Sequence, residues 1–234
     1  MENNHVMRKT PELVGEFRKT IVEVPDIIRT ETSGIKLFGK TIHSLLFSTD
    51  IAIIKNTNAD AIIAVYPFTP HPAITNSIMT VADIPVLCGV GGGTTQGQRS
   101  VNIALHAEFQ GAIAVVLNAP ASIETIRAVK ETVDIPVVVT VVSELTDVGE
   151  RLRAGADIVN ISGGAATTAI VAKVRSRFGE LPIIATGGGT HDSIMATIDA
   201  GANAITYTPP TNGELFRIKM DHYREEENLK HMNK

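Results

Sequence analysis

The sequence contains no tryptophan, and its aromatic residues are only three tyrosines and seven phenylalanines in 234 positions. Aromatic rings are the platforms on which proteins stack nucleic-acid bases. Basic residues are also in the minority, with 21 Lys and Arg against 25 Asp and Glu and a net charge of −4. No basic stripe is present that would follow a phosphate backbone. These shortages argue against nucleic acid as a partner.

Cysteine is almost absent as well, because Cys88 is the single one. One cysteine cannot form an intramolecular disulfide, which is typical of proteins in a reducing compartment. No apolar run approaches the roughly 20 residues that a membrane span needs. The first residues, "MENNHVMRKTPELVGEFRK", are polar and charged and do not resemble a signal peptide. We therefore expect a cytoplasmic protein without a membrane partner.

Eight short apolar runs are present, many of them β-branched, at intervals of roughly 20 to 25 residues. Helical spacing occurs between them, for example at Ile123, Ile126 and Val129. This pattern predicts an α/β protein with one (β/α)8 TIM barrel. A doubly wound open sheet is the alternative, but eight units without a change of pattern favour the barrel. The runs begin at Thr41, Ala61, Pro85, Ala112, Pro136, Asp157, Pro182 and Ala204.

The segments that precede the strands alternate between two types. An apolar residue and a proline precede three of the strands ("DIP" at Asp83, "DIP" at Asp134, "ELP" at Glu180). Gly-Ala or a similar pair precedes the strand that follows each of these three. The second type comprises "QGA", "AGAD" and "AGAN", and more loosely "NADA". A repeat of two strand–helix units indicates a barrel built from four quarters.

Residues 1–40 lie outside this rhythm. Leu13, Val14, Phe17 and Ile21 predict a short amphipathic helix that ends near Pro25 and that closes the barrel bottom or joins a subunit interface. The barrel is expected over residues 41–223, and the charged tail 224–234 is expected to fray. The additional N-terminal helix favours a homo-oligomer.

The segment "IIATGGGTHDS" places three glycines between the seventh strand and the next helix. The strand is expected to end at Thr186, followed by Gly187, Gly188 and Gly189. Glycine lets backbone N–H groups approach a ligand, and a helix N-terminus adds partial positive charge. Barrels commonly bind phosphate after strands seven and eight. The loop therefore predicts a phosphate site, and the alternative is a tight turn without a ligand.

Residues 182–208, "PIIATGGGTHDSIMATIDAGANAITYT", resemble the last two units of the phosphate-binding barrel superfamily. That superfamily includes ribulose-phosphate-binding, thiazole synthase-like and FMN-dependent barrels. The resemblance implies a small phosphorylated ligand at this loop, with FMN as the candidate cofactor. The final strand departs from the pattern because "TYTPPTNGELF" lacks the usual Gly-Ser or Gly-Thr. Thr208 and the helix start at Asn212 and Gly213 would have to supply the phosphate contacts that the Gly-Ser or Gly-Thr makes in the superfamily.

Other residues expected at the same rim are polar or glycine-rich. Strand six ends in "NISGGAATT", which resembles a second glycine-lined anion site, and the loop "GVGGGTTQGQRS" after strand three is either a lid over the substrate or a flexible loop. The anion site would use Gly163 and Gly164. The lid and substrate candidates are Gly91, Gly92, Gly93, Thr94, Arg99, Asn118 and Asn160.

Four residues after strands are candidates for the general acid or base: Asp50, His71, Glu144 and His191. Each also has an ordinary explanation, as a carboxylate at a helix N-terminus or an exposed loop histidine. No lysine lies in the C-terminal half of a strand, so a Schiff-base mechanism has no nucleophile. No close cluster of His and carboxylates is present, so no metal site is expected.

These observations lead to three hypotheses. The first is an enzyme, a lyase, isomerase or hydrolase, that acts on a small phosphorylated metabolite by acid/base chemistry. The second is an FMN-dependent oxidoreductase on the same barrel. The third is a metabolite-sensing barrel without catalysis, which the lack of an obvious catalytic cluster supports.

Overall fold

The computed structural model of the protein describes Pro11, Leu13, Gly15, Glu16 and residues 21–232. Val14 and Phe17, on which the predicted N-terminal helix depends, lie outside these residues. The first helix, α1 (Asp26–Glu31), begins directly after Pro25. A hairpin follows, formed by β1 (Ile35–Leu37) and β2 (Lys40–Ile42).

Eight parallel strands then close into a barrel, with the last strand hydrogen-bonded to the first. The predicted (β/α)8 fold is therefore confirmed. The barrel strands are β3 (Ser44–Phe47), β4 (Ala61–Ala64), β5 (Val86–Gly91), β6 (Ala114–Leu117), β7 (Val137–Val141), β8 (Ile158–Ile161), β9 (Ile183–Thr186) and β10 (Ala204–Tyr207).

A helix follows each barrel strand, and a 3-10 turn at Gly164–Ala166 precedes α7. The last helix continues through the charged residues after Tyr223. No helix in the described ranges is long and apolar enough to cross a membrane. The helices are α2 (Ile51–Lys55), α3 (Pro72–Val81), α4 (Gln98–Phe109), α5 (Ile123–Lys130), α6 (Val148–Arg153), α7 (Thr167–Phe178), α8 (His191–Asp199) and α9 (Asn212–Met232).

The core has two layers because successive side chains of a strand point to opposite faces. The outer layer packs between strands and helices and contains, among others, Leu46, Cys88 and Val139. The inner layer fills the barrel and contains Leu45, Ala61, Ile63, Leu87, Ala114, Val116, Val138, Ile158, Ile184 and Ala204. Short β-branched strands suit this arrangement because both of their faces are buried.

The barrel bottom is closed by the β1–β2 hairpin, whose Ile35 and Ile42 join the inner layer. The apolar run that begins at Thr41 is therefore not one strand, as the sequence suggests. The run is divided at His43, where the backbone N–H groups of His43 and Ser44 donate hydrogen bonds to the carboxylate of Asp60 at 3.0 and 2.9 Å. The barrel strand starts only after this break.

Candidate functional site

The mouth of the barrel is polar on one side. Inner-layer residues of β7 to β10 are apolar, and the next inward-facing position on each strand carries a hydroxyl or an amide. Thr140 pairs with Asn160 and Thr186 pairs with Thr206 in the strand register. These four side chains form an arc, here called the polar arc, just above the apolar filling of the barrel.

A cavity of about 600 Å³, the β9–β10 cavity, opens at the end of this arc. Its wall includes Thr186, Gly188 and Gly189 from the loop after β9, and Thr206 and Thr208 from the end of β10. The first turns of α9 close the third side. The structure thus brings four of the predicted phosphate-binding residues, Thr186, Gly188, Gly189 and Thr208, to one cavity.

The three consecutive glycines have different roles. A Cβ on Gly187 would lie 2.7 Å from Cγ2 of Ile205, so packing requires glycine there. Gly188 has a φ of +80°, which L residues rarely adopt. Gly189 has neither constraint, since an added Cβ would meet nothing within 4 Å. The turn therefore explains two of the glycines, while the third leaves open space at the cavity.

Hydrogen-bonding groups in this cavity lack partners. Within the described part of the chain, the backbone N–H groups of Gly188 and Gly189 have no acceptor. The hydroxyl of Thr206 is buried and has no partner, and the same holds for Oδ1 of Asn160 in the polar arc. An unsatisfied buried polar group costs roughly 1–3 kcal/mol. The buried groups of Thr206 and Asn160 therefore need a ligand or water to supply these bonds, while the N–H groups of the exposed Gly188 and Gly189 are accessible to either.

Arg217 contributes the cation of the β9–β10 cavity. It was not expected from the sequence, because it lies on α9, after the final strand, and nothing in its spacing distinguishes it from a surface arginine. Glu214 also lines this cavity, and one of its oxygens accepts the N–H and hydroxyl of Thr211 at 2.8 Å each. The Thr211 backbone N–H, and then its hydroxyl, lower the pKa of Glu214.

A smaller cavity of about 210 Å³ lies at the ends of β4, β5 and β6. Among the described residues, no charged side chain lines it. Its wall contains Tyr66, Phe68, Gly91, Gly93, Thr94 and Asn118. Several of the predicted lid and substrate residues therefore meet here, on a different part of the rim from the predicted phosphate loop.

The loop after β5, predicted as a lid, is held at several points. The side chain of Gln96 donates to the carbonyl of Gly93 at 3.1 Å and accepts the N–H of Ser122 at 3.0 Å. A Cβ on Gly92 would collide with the backbone of Asn118. Arg99 is exposed in α4 and does not line the cavity. Gly93 and Thr94 at the tip are exposed, and so are Gly97 and Gln98 at the start of α4.

The second predicted anion site is packed closely. A Cβ on Gly163 would lie 2.5 Å from Cδ1 of Ile170, and the N–H of Gly163 donates to the hydroxyl of Thr167 at 3.0 Å. Gly164 has a φ of +60° at the start of the 3-10 turn. Both glycines thus have structural reasons to be there, and neither lines the two cavities described above.

None of the four acid/base candidates lines either of these two cavities. Asp50 caps α2 by accepting the N–H groups of Ala52 and Ile53 at 2.8 and 3.3 Å. Nδ1 of His71 accepts the N–H of Ala73 at 3.1 Å and caps α3. Glu144 and His191 are exposed.

All four residues lie at or near helix starts. Side chains at these positions also serve as N-caps or face solvent in the first turn. Sequence spacing does not distinguish a cap from a catalytic group. Among the described residues, no group of three or more His, Cys, Asp or Glu side chains could hold a metal ion.

No protein-family model matches the chain, and no curated protein sequence matches it. Solved structures do. A phosphoenolpyruvate phosphomutase of Streptomyces platensis subsp. rosaceus is 18% identical over 80% of this chain and 82% of that one, with a TM-score of 0.57. A phosphonopyruvate hydrolase in complex with oxalate and Mg²⁺ is 16% identical over 78% and 79%, also at 0.57.

A 2,3-dimethylmalate lyase, described as a member of the PEP mutase/isocitrate lyase superfamily, is 14% identical over 87% of this chain and 84% of that chain, with a TM-score of 0.59. These structural neighbours are TIM-barrel enzymes. At such identities the similarity shows that the barrel fold is shared.

Proposed function

We propose that this protein is an enzyme, a lyase, isomerase or hydrolase, that acts on a small phosphorylated metabolite whose phosphate binds in the β9–β10 cavity. The observation that carries the proposal is the set of unused donors around open space. Within the part of the chain that the structure describes, the N–H groups of Gly188 and Gly189 have no acceptor and the hydroxyl of Thr206 has no partner, and Gly189 leaves room for a ligand. The named activities of the structural neighbours support this enzyme class.

Four groups in the cavity have roles that suit a phosphate, whereas the carboxylate of Glu214, which also lines it, does not. The two glycine N–H groups would donate to phosphate oxygens, as backbone amides do in anion-binding loops. The guanidinium of Arg217 can offer two parallel N–H donors to the same group. Thr208 adds a hydroxyl at the exposed edge. The remainder of the metabolite would then extend over the polar arc, where Asn160 has a free acceptor.

A non-catalytic metabolite sensor is the second candidate. It is favoured by the positions of Asp50, His71, Glu144 and His191, none of which lines the β9–β10 cavity. Under the enzyme proposal one of these groups, Asp50 first and Glu144 next, would reach the substrate as acid or base. Under the sensor proposal these four residues only stabilise helices or face solvent, and the ligand dissociates without having reacted.

A thermal-shift screen with phosphorylated metabolites and their unphosphorylated counterparts tests the binding proposal. A ligand that binds only the folded protein at 100 times its Kd stabilises it by about 2.7 kcal/mol. We expect stabilisation by a phosphorylated compound alone, and its loss in Gly189→Ala, because the new methyl occupies the open space. Gly93→Ala is the matched control, since its Cβ also meets nothing within 4 Å but lies in the other cavity. Failure of every phosphorylated compound to stabilise the protein would contradict the proposal.

Turnover of the compound that binds then separates the candidates. Asn caps helices about as well as Asp, so Asp50→Asn should keep the fold. If Asp50 is the acid or base, this variant should lose at least about a hundredfold in kcat. Unchanged kcat removes Asp50 from the mechanism, and tight binding without any turnover supports the sensor. Bound flavin in the purified protein, or stabilisation by FMN alone, would favour an oxidoreductase instead.

A further inference from the structure

The helix α9 is poorly covered by the rest of the chain. It has 21 residues and therefore extends about 31 Å. No side chain between Asn212 and Lys230 is fully buried, whereas α3, α4, α5, α7 and α8 each bury at least two. A helix of this length gains most of its stability from packing of an apolar face. The described residues therefore do not provide a surface that covers the apolar residues of α9.

Those apolar residues are large and exposed. Phe216, Ile218 and Leu229 are 67%, 62% and 58% exposed. Beside them a groove of about 730 Å³ runs between α9 and α2, here called the α2–α9 groove. Its other wall contains Val22 and Ile53. An apolar groove next to exposed apolar side chains is typical of a protein–protein contact.

One stripe of α9 faces this groove. Leu215, Ile218 and His222 line it, and they are three and four residues apart, so they share one face of the helix. Leu229 follows seven residues after His222 and extends the same stripe beyond the groove. The stripe is thus longer than the surface that the barrel offers to it.

Several pairs of positions in α9 are complementary in the antiparallel direction around His222, whereas Ile218 would face Glu226. If two copies cross with His222 opposite His222, residues equally distant from it lie side by side, as in an isologous interface. Leu215 then meets Leu229, seven positions away on either side, and Lys219 meets Glu225 at three. Glu214 meets Lys230 at eight. A parallel arrangement would instead place each charge beside its own copy, which is unfavourable.

We propose that a second copy of this chain docks here, with its α9 antiparallel to the first α9 along the Leu215–Leu229 stripe and within the α2–α9 groove. The two-fold axis passes near His222, so each chain fills the groove of the other. Leu215 and Leu229 supply the apolar contact at each end of the stripe, and the opposite charges at equal distances from His222 select the antiparallel direction.

Cysteine cross-linking tests this arrangement, and the chain is suited to it. The only native cysteine, Cys88, is buried, and burial raises the pKa of its thiol to about 12, so it does not compete. We expect His222→Cys to give a disulfide-linked dimer under mild oxidation, seen on a non-reducing gel. Arg224→Cys is the matched control, because two residues further along it points to the opposite side of α9 and should remain monomeric on the gel.

Sedimentation of the uncross-linked protein provides the independent measurement. We expect a wild-type dimer, and we expect Leu229→Glu to raise its Kd at least about tenfold because a carboxylate would enter the apolar stripe. Leu229 is exposed and does not line the α2–α9 groove, so this variant should fold normally, which its thermal transition will show. A wild-type monomer at all concentrations would overturn the proposal. Cross-linking through Arg224→Cys in preference to His222→Cys would also overturn it.

Discussion

The carboxylate of Asp157 accepts the backbone N–H of Val137 at 2.8 Å, at the bottom of the barrel between two neighbouring strands. The same arrangement occurs twice more. Asn203 accepts the N–H of Ile183 at 2.9 Å. Asp60 accepts the N–H of Ser44 at 2.9 Å. In all three cases the acceptor residue lies immediately before one barrel strand. It accepts a hydrogen bond from the first residue of the preceding barrel strand.

Asp157 also forms a partly exposed ion pair with Lys130, at 2.8 Å. Two substitutions of Asp157 should distinguish the stabilisation by the backbone hydrogen bond from that by the ion pair. Asp157→Ala leaves the buried N–H of Val137 without an acceptor and should cost about 1–3 kcal/mol. Asp157→Asn keeps an acceptor, as Asn203 does naturally, and should cost about 0–1 kcal/mol for the ion pair. Urea unfolding measures both. Equal losses in the two variants would show that the ion pair, and not the backbone bond, is the stabilising contact.

These acceptors explain why the fold was predictable from the sequence. The motifs "AGAD", "AGAN" and "NADA" contain Asp157, Asn203 and Asp60, so each marks a helix end, a strand start and a bond between strands at once. The hairpin at the bottom was not predicted, because its three-residue strands are shorter than any periodic signal and continue into the apolar run of β3.

The site was predictable only in part, for a physical reason. Glycines at the end of a strand mark a loop where backbone groups are accessible, and four of the predicted ones, Gly91, Gly93, Gly188 and Gly189, do line cavities. The position of Arg217 in the cavity depends on how α9 packs against the rim, and no local sequence pattern predicts that packing. The roles of Asp50 and His71 as helix caps follow from hydrogen bonds that form only once the helices are in place.

The hairpin turn at the barrel bottom contains a strained residue. Phe38 has a φ of +45° and is followed by Gly39 at +82°, a turn in which asparagine is the usual first residue. The left-handed conformation costs an ordinary L residue about 1–2 kcal/mol, and the exposed phenylalanine ring gains little packing in return. We expect Phe38→Asn to stabilise the protein by about 1 kcal/mol in urea unfolding. Phe38→Ala keeps the strain and should give no such gain; an equal gain would assign the effect to the exposed ring.

The three glycines after β9 should respond differently to alanine. Gly188→Ala meets the left-handed penalty of about 1–2 kcal/mol. Gly187→Ala places its methyl against Ile205 and should cost about 1–3 kcal/mol by overpacking. Gly189→Ala should be neutral or gain up to about 1 kcal/mol, since the unfolded chain loses freedom. Thermal unfolding without ligand measures the series. A loss at Gly189 as large as that at Gly188 would mean that the turn requires all three glycines.

Self-association and ligand binding are expected to be linked through α9. Ile218 lines both the β9–β10 cavity and the α2–α9 groove, and Arg217 of the cavity is its neighbour on the helix. A second copy that holds α9 in place would therefore also hold Arg217 at the phosphate. Linkage requires the effect to be reciprocal, and couplings of this kind are typically about 5- to 150-fold. We expect Leu229→Glu, measured where it is monomeric, to weaken binding of the phosphorylated compound found by thermal shift by at least about fivefold. Saturation with the same compound should lower the wild-type dimer Kd in sedimentation by the square of that factor, because a dimer has two sites. Equal ligand affinity in the monomeric variant would show that α9 holds Arg217 without help from a second chain.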